Sequence, residues 1–383
     1  MKINTFEFLS KETKWEIEPI NFKELTLLVG ASGVGKTRIL KALMSLTSIV
    51  LGKPVNGTKW KITFSVKDNN YSWEGEYELK EKSAFEGILE PNDNESAGKK
   101  PVLLFEKIML NDEIIFERNG NQLKYRDNTS SMPIKAEQSF FAISNDPQIE
   151  KAQKAFSKIL YSDYSNSSDG ISANTIINQE IITKYKNIEE LRNSDEELMD
   201  KFYWVFRKSK KLFSQIKASF KVVFPQVQDI KIEPIEAFKN TNLPFFIKSS
   251  PFIQIKEEGI EDWIPMTGIS AGMYRTLIHV IELHLSADET VILIDEFENS
   301  LGVNCIDEVI NQIKGTNHIQ FIITSHHPYI INNINYKNWK IVTRKGTKVF
   351  VQDAQELNFD KSKHQAFIQL INLQEYKTGK KEI

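Results

Sequence analysis

Residues 24–43 read ELTLLVGASGVGKTRILKAL. The apolar run 24–29 predicts a buried strand, and the spacing of Ile39, Leu40 and Leu43 predicts a helix over 36–48. Between them, 30–37 (GASGVGKT) satisfies G-x-x-x-x-G-K-[ST] in the strand–loop–helix setting that gives this pattern its meaning. Glycines let successive backbone N–H groups curl around phosphate oxygens without a Cβ in the way. Lys36 is placed to reach the β- and γ-phosphates, Thr37 to ligate Mg²⁺, and the helix N-terminus adds partial positive charge.

Working outward, three further stretches can complete such a site. Residues 291–296 (VILIDE) form a buried strand ending in two acids, Asp295 and Glu296. At the carboxyl edge of a parallel sheet those acids border the ligand crevice. Asp295 suits the water shell of Mg²⁺ and Glu296 the polarisation of an attacking water. Residues 318–327 (HIQFIITSHH) form a third buried strand that ends in His326 and His327, either able to meet a γ-phosphate. Residues 268–277 (GISAGMYRTL) place Ser270 before a helix over 272–286, where it is a sufficient N-cap. Because the acidic strand lies so far along the chain from Lys36, a large insertion must separate the two halves of the site.

These four ordered pieces resemble the ABC-type ATPases, in the non-transporter branch that includes RecF, SMC proteins, the OLD-family nucleases and many anti-phage ATPases. The resemblance covers mostly 1–50 and 250–335. DEFENSLG (295–302) followed by TSHHPYIINN looks especially like ATPase subunits of OLD-, Septu- and PARIS-like defence systems. It implies ATP and Mg²⁺ as cofactors, bound through Gly30, Ala31, Ser32, Gly33, Val34, Gly35, Lys36, Thr37 and Arg38. It implies Asp295 as the metal-side acid, Glu296 as catalytic base and His326 as the switch histidine. Asn299, Ser300 and Leu301 would cross a dimer interface, and Ser270 with Gly272 would contact the γ-phosphate held by the opposite protomer. A glutamine between the first helix and the insertion should touch Mg²⁺ and the attacking water; Gln138 is best placed and Gln148 is its rival. The sequence departs from the pattern at Ala31-Ser32, where Pro-Asn is frequent, and at Ser-Ala-Gly-Met, where Ser-Gly-Gly-Gln is usual. Phe8 and Trp15 are candidates for an aromatic against the nucleobase, and both read equally well as core or surface residues.

The layout predicted is an α/β P-loop head made of 1–146 and 223–383, with an antiparallel β section and a helical insertion, 147–222, forming a short arm. Strands are expected at 2–8, 24–29, 228–233, 244–256, 290–294 and 318–324. Hairpins are expected within 59–80, 101–125 and 339–351. In the insertion, helices are expected at 147–161, 175–192 and 194–222, the last opened by a Ser194/Glu197 capping box. Further helices are expected at 303–314 and 361–373, and loops at 82–100 and 162–170.

A net charge of −2 argues against a surface built as a whole for nucleic acid, so any DNA contact must be a local patch. The basic residues Arg207, Lys208, Lys210, Lys211, Lys217 and Lys221 offer one such patch, or a solvated helix face. One cysteine, Cys305, excludes a disulfide framework and a cysteine zinc site within the chain. With no long apolar run, a cytoplasmic protein that does not engage the membrane is expected. The segment after the histidine strand is too short for a nuclease domain, and Asp360 with Glu375 makes no metal constellation. A separately encoded effector is therefore expected beside homo-oligomerisation through paired heads, with DNA or a phage protein as possible trigger. A RecF-like ATPase that clamps DNA is the competing expectation, and a transporter's nucleotide-binding subunit a distant third.

Overall fold

The computed structural model describes residues 1–80, 100–126, 128–129, 134–162, 177–236, 242, 244–299, 309–311, 313–315, 318–357, 359 and 362–381. In chain order the strands are β1 (Lys2–Ser10), β2 (Trp15–Asn21), β3 (Leu25–Val29), β4 (Thr58–Val66), β5 (Asn69–Tyr77), β6 (Leu103–Leu110), β7 (Glu113–Asn119), β8 (Gln122–Tyr125), β9 (Asn128–Thr129), β10 (Ile159–Ser162), β11 (Val227–Glu233), β12 (Phe252–Glu257), β13 (Ile264–Pro265), β14 (Thr290–Ile294), β15 (Ile319–Thr324), β16 (Trp339–Lys345) and β17 (Lys348–Asp353). The helices are α1 (Lys36–Val50), α2 (Phe140–Ile143), α3 (Pro147–Phe156), α4 (Ile181–Lys184), α5 (Ile188–Arg192), α6 (Leu198–Lys208), α7 (Lys210–Val223), α8 (Phe245–Ser249), α9 (Ala271–Leu285), α10 (Pro328–Asn333), α11 (Lys363–Asn372) and α12 (Gln374–Thr378).

The chain divides into two compact units, one of Met1–Tyr161, Glu289–Asp295 and Gln320–Ile383, the other of Ser162–Asp288 and Glu296–Ile319. These divisions fall elsewhere than at 147 and 222. The first unit carries a sheet in the order β10-β14-β15-β3-β16-β17-β2-β1-β4-β5-β6-β7-β8-β9. β3 lies between β15 and β16 and is parallel to both, with Thr324 level with Leu28 and Trp339 with Leu27. Such strands are covered on both faces, and β14 and β15 are accordingly buried at every position. From β1 through β4 to β8 the pairing is antiparallel and burial alternates, so Trp60, Ile62 and Phe64 of β4 point inward. Inward rings of β4 and β5 meet those of the following helices: Trp73 of β5 stacks on Phe141 at 4.6 Å and Phe64 of β4 meets Phe156 edge-on at 5.2 Å. The same core takes Ile39, Leu43 and Leu46 from α1.

The second unit pairs β11 with β12 and β12 with β13, all antiparallel. Its helices α6, α7 and α9 pack on one another.

Several expected elements differ. The helix expected over 147–161 stops at Phe156, and Ile159–Ser162 is strand β10 at the edge beside β14. Val291 N–H of that neighbourhood donates to Lys158 O at 3.2 Å, so the sheet captures the segment. The helix expected over 175–192 is two short ones, interrupted at Tyr185 by extended backbone (φ −116°, ψ 136°) and restarted by Asn187, which accepts from Glu190 N–H at 2.9 Å. The Ser194 capping box does not form: Ser194 Oγ donates back to Leu191 O, and α6 begins after Glu197.

The long helix over 194–222 breaks at Ser209 into α6 and α7. Phe213 then lies 5.6 Å from Phe202 and 5.1 Å from Phe206. Eleven residues of unbroken helix would hold the Phe202 and Phe213 positions about 16 Å apart. The aromatic stripe is therefore folded back on itself, and the second and third expected helices do not form a two-helix arm. The strand expected over 244–256 begins only at Phe252, after the short helix α8. The loops expected at 82–100 and 162–170 lie almost wholly outside the described residues, as do Ser300, Leu301, Cys305, Asp360 and most of 303–314. Among the described residues, no helix is long and apolar enough to cross a membrane.

Candidate functional site

The turn between β3 and α1 is built by glycines at positive φ, with Gly30 at 154°, Gly33 at 77° and Gly35 at 110°. At Gly33 the conformation alone demands glycine, since a Cβ there would face open space; at Gly30 a Cβ would sit 2.3 Å from Val342 O of β16. The loop is thus curled and backed on one side, and open on the other. Lys36, only 5% exposed, donates to Gly30 O at 2.9 Å and to Ala31 O at 3.0 Å, and its Nζ lies 3.3 Å from His326 Nδ1. Val34 is buried against the core, whereas Ser32 is exposed. Arg38 lies over the Trp15 ring at 4.0 Å, with Arg344 also over that ring at 5.5 Å. Trp15 thus carries guanidinium groups beside the loop, while Phe8 packs on the core next to Phe6.

Asp295 follows the last residue of β14. Its Oδ1 accepts from Thr37 Oγ1 at 3.2 Å and from Thr324 Oγ1 at 2.6 Å, and its Oδ2 from the Tyr161 hydroxyl at 3.5 Å. The first turn of α1 and the ends of β10, β14 and β15 therefore converge on one carboxylate. Thr37 and Asp295 offer hard oxygen donors suited to Mg²⁺, which binds through one or two protein groups and takes its other oxygens from water and substrate phosphates. Among the described residues there is no group of three His, Cys, Asp or Glu that could hold a metal ion.

The two histidines have different surroundings. His327 caps α10, its Nδ1 accepting from Tyr329 N–H at 3.3 Å. His326 faces Lys36. Glu296 has left-handed backbone (φ 47°), which turns the chain sharply after Asp295. Its Oε2 accepts from Asn299 Nδ2 at 2.8 Å, and its carbonyl from Asn299 N–H at 2.7 Å.

The family model described as "AAA domain, putative AbiEii toxin, Type IV TA system" matches residues 25–332. The chain belongs to that family. No curated protein matches it. Similar solved structures include an SMC head bound to the C-winged helix domain of ScpA, at 13% identity and a TM-score of 0.48 over 93% of this chain and 99% of that one. An SMC head domain from Thermotoga maritima is similar at 12% identity and 0.43, over 92% and 99%. So is an SMC head with an extended coiled coil bound to the C-terminal domain of ScpA derived from Pyrococcus furiosus, at 12% and 0.45, over 93% and 97%.

Of the remaining predicted site residues, Ser270 caps α9, its Oγ accepting from Met273 N–H at 3.2 Å; Gly272 lies in that first turn and Met273 is buried. Gln138 sits in a turn tethered by the buried Arg118, which donates to the carbonyls of Gln138 at 2.9 Å, Lys135 at 3.2 Å and Ala136 at 3.3 Å. Asp295 draws its hydrogen bonds from Thr37, Thr324 and Tyr161, and Gln138 is not among them. Gln148 opens α3, where Asp146 accepts from its N–H. In the basic series, Lys217 pairs with Asp229 at 3.0 Å and Lys221 donates to Gln228 O, leaving Arg207, Lys208, Lys210 and Lys211 exposed around the Ser209 break.

Sequence reasoning missed three contributors. Thr324 and Tyr161 carried only the faint signal of a hydroxyl near a strand end. Gly379 carried none, yet its Cα face meets Val34 and Ala31 of the glycine turn, and its carbonyl accepts from Arg344 N–H at 2.8 Å.

Proposed function

We propose that this chain is an ABC-type ATPase that binds and hydrolyses ATP with Mg²⁺ and serves as the sensor or scaffold subunit of an anti-phage system with a separately encoded effector. One observation carries the ATPase reading: a glycine loop, Lys36, Thr37, Asp295 and His326 from three distant segments meet within hydrogen-bonding distance in one unit. Lys36 holds the β- and γ-phosphates, exchanging its bonds to Gly30 O and Ala31 O for phosphate oxygens. Thr37 and Asp295 hold Mg²⁺, which when bound neutralises phosphate charge. Glu296 orients and deprotonates the attacking water, and His326 senses the γ-phosphate. Two heads pair, and Ser270 with the N–H groups near Gly272 closes on the nucleotide of the opposite protomer, which makes the chain a homodimer or higher homo-oligomer.

The defence role is motivated by the DEFENSLG and TSHHPYIINN stretches and by the matched family, whose description names a toxin. Its test is expression together with the adjacent genes in cells challenged with phage. Protection that is lost with Lys36→Ala, and a stoichiometric partner recovered with the tagged chain, are expected. Protection by the chain alone, or none in any genomic context, would remove this reading. A RecF-like clamp is favoured by the exposed Arg207, Lys208, Lys210 and Lys211; it requires ATP-dependent DNA binding that weakens steeply with salt.

A further inference from the structure

We infer that Thr324, seconded by Tyr161, is a positioning residue that sets the carboxylate of Asp295 for its cation. The inference rests on the ATP and Mg²⁺ reading of the same site. An ionised carboxylate has two oxygens with two lone-pair directions each and accepts only. Here one oxygen takes hydroxyl donors from Thr324 at 2.6 Å and Thr37 at 3.2 Å, and the other takes the Tyr161 hydroxyl at 3.5 Å. Donors on both oxygens fix the rotation of the carboxylate about its own bond.

The three hydroxyls are not equivalent. Thr37 follows the invariant lysine of the phosphate-loop pattern, and it can keep donating to Asp295 while its lone pair faces a cation. Thr324 is 1% exposed and ends β15, a strand buried at every position. It approaches the carboxylate from the protein side, where a side chain orients a ligand without becoming one. The bond is short, as charge-assisted O–H···O⁻ bonds are. Tyr161 reaches the other oxygen from β10, the edge strand beside β14. Partners of this kind typically change metal affinity about 10–100-fold when removed.

A purely structural Thr324 would only fill the end of β15, a part that valine, of the same shape, fills equally well. The experiment therefore uses Thr324→Val, Thr324→Ser and Tyr161→Phe in the full chain. MgCl₂ is titrated into each protein loaded with a fluorescent N-methylanthraniloyl ATP in metal-free buffer. Thr324→Val is expected to raise the half-saturating Mg²⁺ concentration about 10–100-fold, with metal-free nucleotide affinity unchanged. Thr324→Ser should return close to wild type, and Tyr161→Phe should shift the same way by less. A wild-type Mg²⁺ response in a folded Thr324→Val overturns the inference. Should that variant not fold, an unshifted Tyr161→Phe overturns it instead. Lys36→Ala separates the two levels: if it binds the nucleotide as wild type does, the ATP reading itself fails. If it loses binding while Thr324→Val responds normally to Mg²⁺, only the positioning role fails.

Discussion

Lys36 is buried with its ammonium turned to carbonyls of its own loop, a placement that water alone would not favour for so flexible a side chain. A cation held there loses its purpose if truncated, so Lys36→Ala should abolish nucleotide binding, read as loss of saturable fluorescence with the labelled ATP. Saturation at wild-type concentrations would contradict the assignment. Glu296 differs in kind. Its left-handed backbone is one that L-residues with long side chains rarely adopt, at a cost of about 1–2 kcal/mol. Such strain gathers where a side chain must be aimed. Glu296→Gln keeps the shape and the Asn299 contact while removing the proposed base. Nucleotide binding should persist and steady-state phosphate release should fall at least about 100-fold, at the lower end of what one general base supplies. Normal turnover would assign the base elsewhere. The glycine turn and the meeting of Thr37 with Asp295 were legible in the sequence because each needs a particular residue type at a particular spacing. Thr324 and Tyr161 were not, because a hydroxyl at the end of a strand is unremarkable until the carboxylate it meets is located.

Among the elements, α3 shows how local chemistry sets stability. Asp146 caps it, accepting from Gln148 N–H at 2.8 Å, and also takes Arg126 and the Tyr125 hydroxyl, each at 2.8 Å. Burial alone would raise its pKa, but the arginine, the phenol and the helix N–H groups together outweigh burial and hold it below the ordinary carboxylate value. A depressed folded pKa means that the stabilisation is complete above about pH 4, the unfolded value, and is lost as pH falls through the folded one. Asp146→Ala should therefore cost about 1 kcal/mol at neutral pH, with the gap to wild type closing below about pH 4 in urea denaturation. A gap that is constant with pH would show that the carboxylate's charge plays no part.

Glu106 is the opposite case. Burial, the largest influence, raises its pKa, against the Ser139, Phe140 and Trp73 donors that favour the ionised form. It accepts from Ser139 Oγ at 2.5 Å, Phe140 N–H at 2.7 Å and Trp73 Nε1 at 3.0 Å, and so ties β6 to the turn that holds Gln138. Glutamine cannot accept on both of its terminal atoms. Glu106→Gln should lower stability by about 1–3 kcal/mol, as a buried donor loses its acceptor; an unchanged denaturation midpoint would rule that out. At this scale the alternating strands were readable, since half-buried antiparallel pairs print their period in the sequence. The breaks at Tyr185 and Ser209 were not. No glycine or proline marks them, and the 202–206–213 aromatic stripe is as compatible with one straight helix as with two folded face to face. Likewise Ile159–Ser162 continues a helical pattern until a neighbouring strand claims it.

The whole molecule, as proposed, works only as a pair of heads. Ser270→Arg gives up the side-chain cap of α9, at a cost of about 1 kcal/mol, and places a bulky cation where a second protomer's nucleotide would sit. The fold and ATP binding should survive. The ATP-dependent rise in mass, followed by light scattering after size exclusion, and ATP hydrolysis should both disappear. Wild-type hydrolysis by a monomeric Ser270→Arg protein would dissociate catalysis from pairing. The class of fold was readable from the four motifs and their order. The division into two compact units was not, because it cuts between Asp295 and Glu296, inside a motif that sequence reading treats as one word.

The order in which the phosphate-loop strand acquires its neighbours also bears on how the protein is made. β3 emerges early from the ribosome, but both strands that flank it belong to the far end of the chain. Lys36 and His326 are 290 residues apart. At about 5–20 residues per second, synthesis leaves the loop without its histidine for about 15–60 s. During that interval an apolar strand with two open edges must be shielded, and the proposed nucleotide site is incomplete. A translating, partly built copy is thereby silent, and demand for chaperones should fall on the nascent chain rather than on the released protein.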